Sequence, residues 1–124
     1  MIKKIFITFL LFVGISANAV EKKTNFSIET LEKAKASGKT IVINSYEVWC
    51  GTCSKQTKIL DQAEKEFNEI IFLSYEQSKN KDIAKKLKIK HWTTIVVYKG
   101  DNEISRIIGQ TDKETIYSAI KKGI

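Results

Sequence analysis

Apolar positions along the chain recur with two periods, and the changes from one to the other mark out its elements. Ser27 can cap a first helix in which Ile28, Leu31 and Ala34 form a buried stripe to about Ala36, with Ser37-Gly38-Lys39 ending it. Thr40 to Ser45 (TIVINS) is short, β-branched and continuously apolar at its centre, as expected of an interior strand covered on both faces. From Gly51 or Cys53 to about Phe67 the spacing of Gln56, Ile59, Leu60, Ala63 and Phe67 predicts a long helix, broken at Asn68-Glu69. Ile70 to Tyr75 (IIFLSY) then reads as a strand parallel to the first, closing a βαβ unit.

The pattern continues with a short helix from Asn80 or Lys81 to Leu87, with Ile83, Ala84 and Leu87 inward, and a linker from Lys88 to Thr93. Thr94 to Tyr98 (TIVVY) is a strand, Lys99 to Asn102 a turn around Gly100, and Glu103 to Ile108 the antiparallel mate. Thr111 as N-cap with Glu114 three residues on predicts a capping box for a last helix to about Lys122. In that helix Ile116, Ala119 and Ile120 face inward, with Lys121 and Lys122 at the negative dipole end. The elements make an α/β chain whose mixed four-strand core carries helices on both faces, with room for a fifth short strand near Lys22 to Asn25.

Residues 1–19 stand outside this pattern. Lys3 and Lys4, the apolar run Ile5 to Ile15 and the small-x-small site Ala17-Asn18-Ala19 have the three parts of a signal peptide cleaved after Ala19. The run falls short of the roughly 20 apolar residues that span a bilayer. Residues 20–124 are then one exported domain, and the periplasm is its expected location.

Charge adds little to this picture. The chain has 21 Lys+Arg against 14 Asp+Glu, a formal +7. Its lysines are interleaved with acids along helices, as in Glu29-Thr30-Leu31-Glu32-Lys33, rather than gathered into a stripe, so they read as solvated faces and no nucleic-acid partner is expected.

The two cysteines change the picture most. Cys50 and Cys53 are the whole complement, two residues apart, where the first strand gives way to the long helix. CxxC alone could be half of a zinc site, but a pair opening a helix inside a βαβ unit points to a redox dithiol. A bridge between them would close too short a loop to constrain the unfolded chain much, which favours chemistry over stapling. At the amino end of a helix, unpaired N–H groups and the dipole stabilise a Cys50 thiolate. Cys53, one turn in and more covered, is placed to resolve a mixed disulfide. Gly51 lets the turn tighten, Thr52 can bond locally to backbone, and Trp49 offers an apolar wall. Lys55 and Lys58 could add positive potential, although a solvated helix face explains them as well.

With Trp49-Cys50-Gly51-Thr52-Cys53 after Ile41-Val42-Ile43, the TIVVY strand with its Gly100 turn, and Ile108-Gly109 before the last helix, the chain resembles the thioredoxin family. The likeness is strongest to small exported thiol-disulfide proteins and the carboxy-terminal domain of the periplasmic disulfide reductase. It implies a three-layer thioredoxin-like fold, a redox-active Cys50–Cys53 disulfide with no other cofactor and no resident metal, attack by Cys50, resolution by Cys53, and docking on Trp49. Two departures stand out. Family members usually carry a cis-proline where this chain has Thr93, so a trans Trp92–Thr93 bond and a different loop are expected. Asn44 matches the family's buried aspartate and cannot titrate; Glu47 is the nearest ionisable residue, in a loop where exposure is expected. Its carboxylate, if close, would oppose thiolate formation. His91 and Trp92, just before Thr93, should border the dithiol. A protonated His91 would stabilise the thiolate, and a neutral one could join Cys50 and Cys53 as a metal ligand.

These readings predict a monomeric thiol-disulfide oxidoreductase acting on exported protein thiols and disulfides. The expected direction is reduction, with electrons from a membrane-embedded donor. The alternatives are a disulfide oxidase or isomerase, a metallochaperone-like module using Cys50, Cys53 and His91, and an adaptor that holds peptides without turnover.

Overall fold

The computed structural model describes residues 26–124. The expected signal peptide at 1–19 and the expected fifth strand near 22–25 lie outside the described residues.

Four strands and four helices are present among the described residues, in the order α1 (Ile28–Ala36), β1 (Thr40–Tyr46), α2 (Gly51–Glu66), β2 (Ile71–Glu76), α3 (Lys81–Leu87), β3 (Thr94–Lys99), β4 (Asn102–Ile108) and α4 (Lys113–Lys121). The sheet runs β2-β1-β3-β4. β1 pairs in parallel with β2 and antiparallel with β3, and β3 pairs antiparallel with β4. β1 therefore has a partner on each side, consistent with its near-continuous burial.

Alternation along the inner strands sorts the core into two layers. Ile41, Ile43, Val96 and Tyr98 pack with Leu31 of α1 and with Ile83 and Leu87 of α3. Val42, Ile95 and Val97 pack instead with Leu60 and Ala63 of α2 and with Ile116 and Ile120 of α4. The same period turns Asn44 toward the α2 side, with Val42, beneath the helix that carries the cysteines.

Ser27 caps α1, its Oγ accepting the Thr30 N–H at 3.1 Å. The last helix begins one residue later than the capping box predicts. Asp112, not Thr111, is the N-cap of α4, and its Oδ2 accepts the Thr115 N–H at 2.9 Å. An acceptor with full negative charge is the better partner for the positive end of the helix. Hydrogen bonding from the Thr115 hydroxyl first, and then from its N–H, holds the Asp112 carboxyl below its ordinary pKa. Glu114 falls in the first turn rather than at the box position.

Candidate functional site

The site is built where β1 ends and α2 begins. Cys50 is the N-cap of α2, with extended backbone, and its Sγ accepts the Cys53 N–H at 3.0 Å. The two cysteines form a disulfide with Cα atoms 5.2 Å apart. Cys50 is 9% exposed and Cys53 2%, so both residues are buried and Cys50 is the less covered of the two. Gly51 and Thr52 are exposed in the first turn. A Cβ at Gly51 would meet nothing within 4 Å, so neither crowding nor a left-handed backbone calls for glycine there, contrary to the tight turn expected of it.

Trp49 is 66% exposed and lies edge-on to Trp92, 40% exposed, with ring centroids 5.1 Å apart. Val48 is also exposed, and together these side chains make an apolar surface next to Cys50. Aromatic pairs in this geometry contribute about 0.5–1.5 kcal/mol beyond the area they bury.

Glu47 departs from expectation. It is 5% exposed, not a solvated loop residue, because Ser78 in the loop after β2 reaches across to it. Oε2 accepts the Ser78 N–H at 2.6 Å and Oε1 accepts the Ser78 hydroxyl at 3.0 Å. A carboxylate can be buried when both its oxygens are bonded in this way. Glu47 lines a depression of about 380 Å³ together with Tyr46, Cys50, Cys53, Thr57 and Lys58. Its charge is felt at Tyr46, whose hydroxyl pKa is pushed up by burial first, then by Glu76 and Glu47.

The loop before β3 is tied down through its backbone. The Trp92–Thr93 bond is trans, and no cis peptide occurs among the described residues. Thr93 adopts φ 71°, a left-handed conformation that strains a β-branched residue by about 1–2 kcal/mol. The Thr93 N–H donates to the Ser45 carbonyl at 2.9 Å. Its own carbonyl accepts from the Gly109 N–H at 3.0 Å and from Gln56 Nε2 at 3.0 Å. The His91 carbonyl accepts the Ser45 hydroxyl at 2.9 Å and the Thr94 hydroxyl at 2.6 Å. The His91 side chain is exposed, and no group of three or more His, Cys, Asp or Glu able to hold a metal is found among the described residues. His91 is therefore not gathered with the two cysteines into a metal centre.

Gln56 was legible as an inward residue of the long helix but not as a ligand of this loop. A glutamine set among apolar neighbours in a buried stripe is the signal. Asn44 is buried as well, with Oδ1 unpartnered by any protein group.

A disulfide formed by the N-cap of a helix, at the carboxyl end of a central strand in a helix-covered mixed sheet, defines a thiol-disulfide oxidoreductase. A family model described as "Thioredoxin" matches residues 18–122. The chain is 33% identical over 89 residues to "Thioredoxin H-type" of Fagopyrum esculentum, covering 72% of this chain and 77% of that one. It is 26% identical over 99 residues to "Thioredoxin-2" of Saccharomyces cerevisiae, covering 79% and 90%. Among solved structures it is similar to Fasciola hepatica thioredoxin, with a TM-score of 0.71 at 24% identity over 77% of this chain and 93% of that one. It is also similar to Trxlp from Edwardsiella tarda, with a TM-score of 0.72 at 20% identity over 75% and 92%. The chain belongs to the thioredoxin family, and it is an enzyme of thiol-disulfide interchange.

Proposed function

We propose that the protein is an exported reductant of protein disulfides, working in the periplasm after loss of residues 1–19 and recharged by a membrane-embedded dithiol donor. The observation that carries the chemistry is Cys50 at the N-cap of α2, its sulfur facing the Cys53 N–H and less covered than its partner. In the reduced protein the Cys50 thiolate attacks one sulfur of a substrate disulfide. A Cys50–substrate disulfide forms, and the second substrate sulfur leaves as a thiolate that takes up a proton. Cys53, deprotonated, then attacks Cys50 Sγ. The Cys50–Cys53 disulfide forms, the first substrate sulfur leaves, and two electrons have passed to the substrate. Trp49, Val48 and Trp92 form the surface on which a monomer would meet its substrate.

Glu47 supports the direction. A bonded carboxylate in the same depression as both cysteines disfavours the thiolate, which makes the dithiol the more willing electron donor. The N–H bond to Cys50 Sγ acts the opposite way and favours the rival reading, a disulfide oxidase or isomerase.

The test has two arms. A Cys53→Ala chain, expressed with its leader, should accumulate mixed disulfides through Cys50 in the envelope fraction, and their absence would remove the turnover step. The midpoint potential of the wild-type pair should lie near that of thioredoxin, about −270 mV, whereas a value above about −180 mV would assign the oxidase or isomerase role. The mass of the mature amino terminus reads cleavage after Ala19.

A further inference from the structure

We infer that Gln56 is a positioning residue for this exchange: its side-chain amide latches the 91–93 loop to the dithiol helix and holds Thr93 in a conformation the residue would not keep alone. The inference rests on the reading that Cys50 exchanges with protein disulfides.

Gln56 lies three residues beyond Cys53 on α2, so both side chains leave the helix from one face, and both are buried. Nε2 donates to the Thr93 carbonyl at 3.0 Å and to the Gln110 carbonyl at 2.9 Å. The single amide thus joins three segments: the helix carrying the cysteines, the loop before β3 and the loop after β4. Stabilising the fold does not require this arrangement, since an apolar side chain would complete the stripe of Leu60 and Ala63 with no amide oxygen left unpartnered. What the amide does supply is a second donor, beside the Gly109 N–H, that holds the Thr93 carbonyl at a residue whose φ of 71° opposes it.

The latched loop is the one that builds the wall beside the cysteines. Trp92 rests on Trp49, the residue before Cys50, while Thr93 is held by Gln56, one turn after Cys53. Besides the bonds that Ser45, Thr94 and Gly109 make to its backbone, the loop is held by side chains on both sides of the disulfide, by ring contact at Trp49 and by the amide at Gln56. Releasing the amide leaves the sulfurs where α2 puts them and the backbone bonds to Ser45 and Gly109 in place, and loosens the surface that a large substrate must meet. A small disulfide needs no such surface.

The experiment compares Gln56→Leu and Gln56→Met with the wild type, using insulin as a protein disulfide and 5,5′-dithiobis(2-nitrobenzoate) as a small one, and follows folding by thermal unfolding. Loss of the latch is expected to raise KM for insulin about tenfold with kcat changed by less than about twofold, and to lower the ratio of insulin to small-disulfide rates. In a Thr93→Gly background, where the left-handed conformation is unstrained, the same Gln56 replacements should have an effect less than about threefold. Folded Gln56 variants with wild-type KM for insulin, an equal loss on both substrates, or an undiminished effect in the Thr93→Gly background would each overturn the inference. Failure of the wild type on both substrates would instead strike the proposed function.

Discussion

Glu47 and Ser78 are joined by two hydrogen bonds, at 2.6 Å from the backbone N–H and 3.0 Å from the hydroxyl, across 31 positions of sequence. The pair pins the segment entering the CxxC to the loop after β2 and keeps the carboxylate of a residue that lines the same depression as both cysteines out of solvent. Replacing Glu47 with Gln keeps the shape and removes the charge. In the reduced protein the Cys50 thiol should then titrate about half a unit lower or more, with a less reducing midpoint potential. Thiolate absorbance against pH checks this, and an unchanged titration would show that the carboxylate does not act on the sulfur.

Cys50 should alkylate faster than Cys53 in the reduced wild-type protein, with a pH midpoint below about 8. The groups around the depression pull in both directions, Glu47 against the thiolate and Lys58 with the helix terminus for it. Peptide mass mapping after a short iodoacetamide pulse gives the two rates. Equal rates would remove the helix-terminus argument.

Gly123 is held closely. A Cβ there would come to 2.8 Å from Thr40 Cγ2 and 2.9 Å from Val97 Cγ1, both in buried residues, while the Gly123 carbonyl accepts the Thr40 hydroxyl at 2.5 Å. Gly123→Ala should destabilise the fold by about 1–3 kcal/mol, measured by urea unfolding.

Gly51 is the opposite case. Its surroundings are open, so Gly51→Ala should leave stability unchanged or raise it by up to about 1 kcal/mol by narrowing the unfolded ensemble. A marked loss on unfolding would mean that the turn depends on glycine after all.

Arg106 holds Glu103 with Nε–Oε2 at 2.8 Å and Nη2–Oε1 at 3.0 Å, and also donates to the Leu87 and Lys88 carbonyls at the end of α3. The hydrogen bond from Arg106 is the main reason the Glu103 carboxyl lies below its ordinary 4.5. The stabilisation is therefore complete above that value and is lost as pH falls through the lower folded one. Because the pair is partly exposed, its contribution should be under about 1 kcal/mol. Glu103→Gln should accordingly differ from wild type at pH 7 and approach it as the pH is lowered until the folded carboxyl is protonated, read by urea unfolding across that range.

The order of elements was legible because each has a clean period and a visible stop. TIVINS and TIVVY could be read as strands from β-branching alone, and Leu31, Leu60 and Ile120 as core from helical spacing. The dithiol was legible because its two cysteines stand at the one strand-to-helix junction that chemistry can use. What escaped was long-range and polar. Nothing near Glu47 in sequence announces Ser78, and nothing near Gln56 announces the Thr93 and Gln110 carbonyls, since those partners come together only when the sheet and helices are assembled. The α4 start was missed by one residue because Thr111 and Asp112 are both good caps, and only the assembled chain decides between them.

The chain has 2 tryptophans, and they are the rings that meet beside Cys50. Disulfides quench nearby indole emission, so the protein carries its own optical gauge at the reacting bond. Electron transfer could be followed by ultraviolet fluorescence in unlabelled material, and a partner settling over the same rings would register as a change of emission colour.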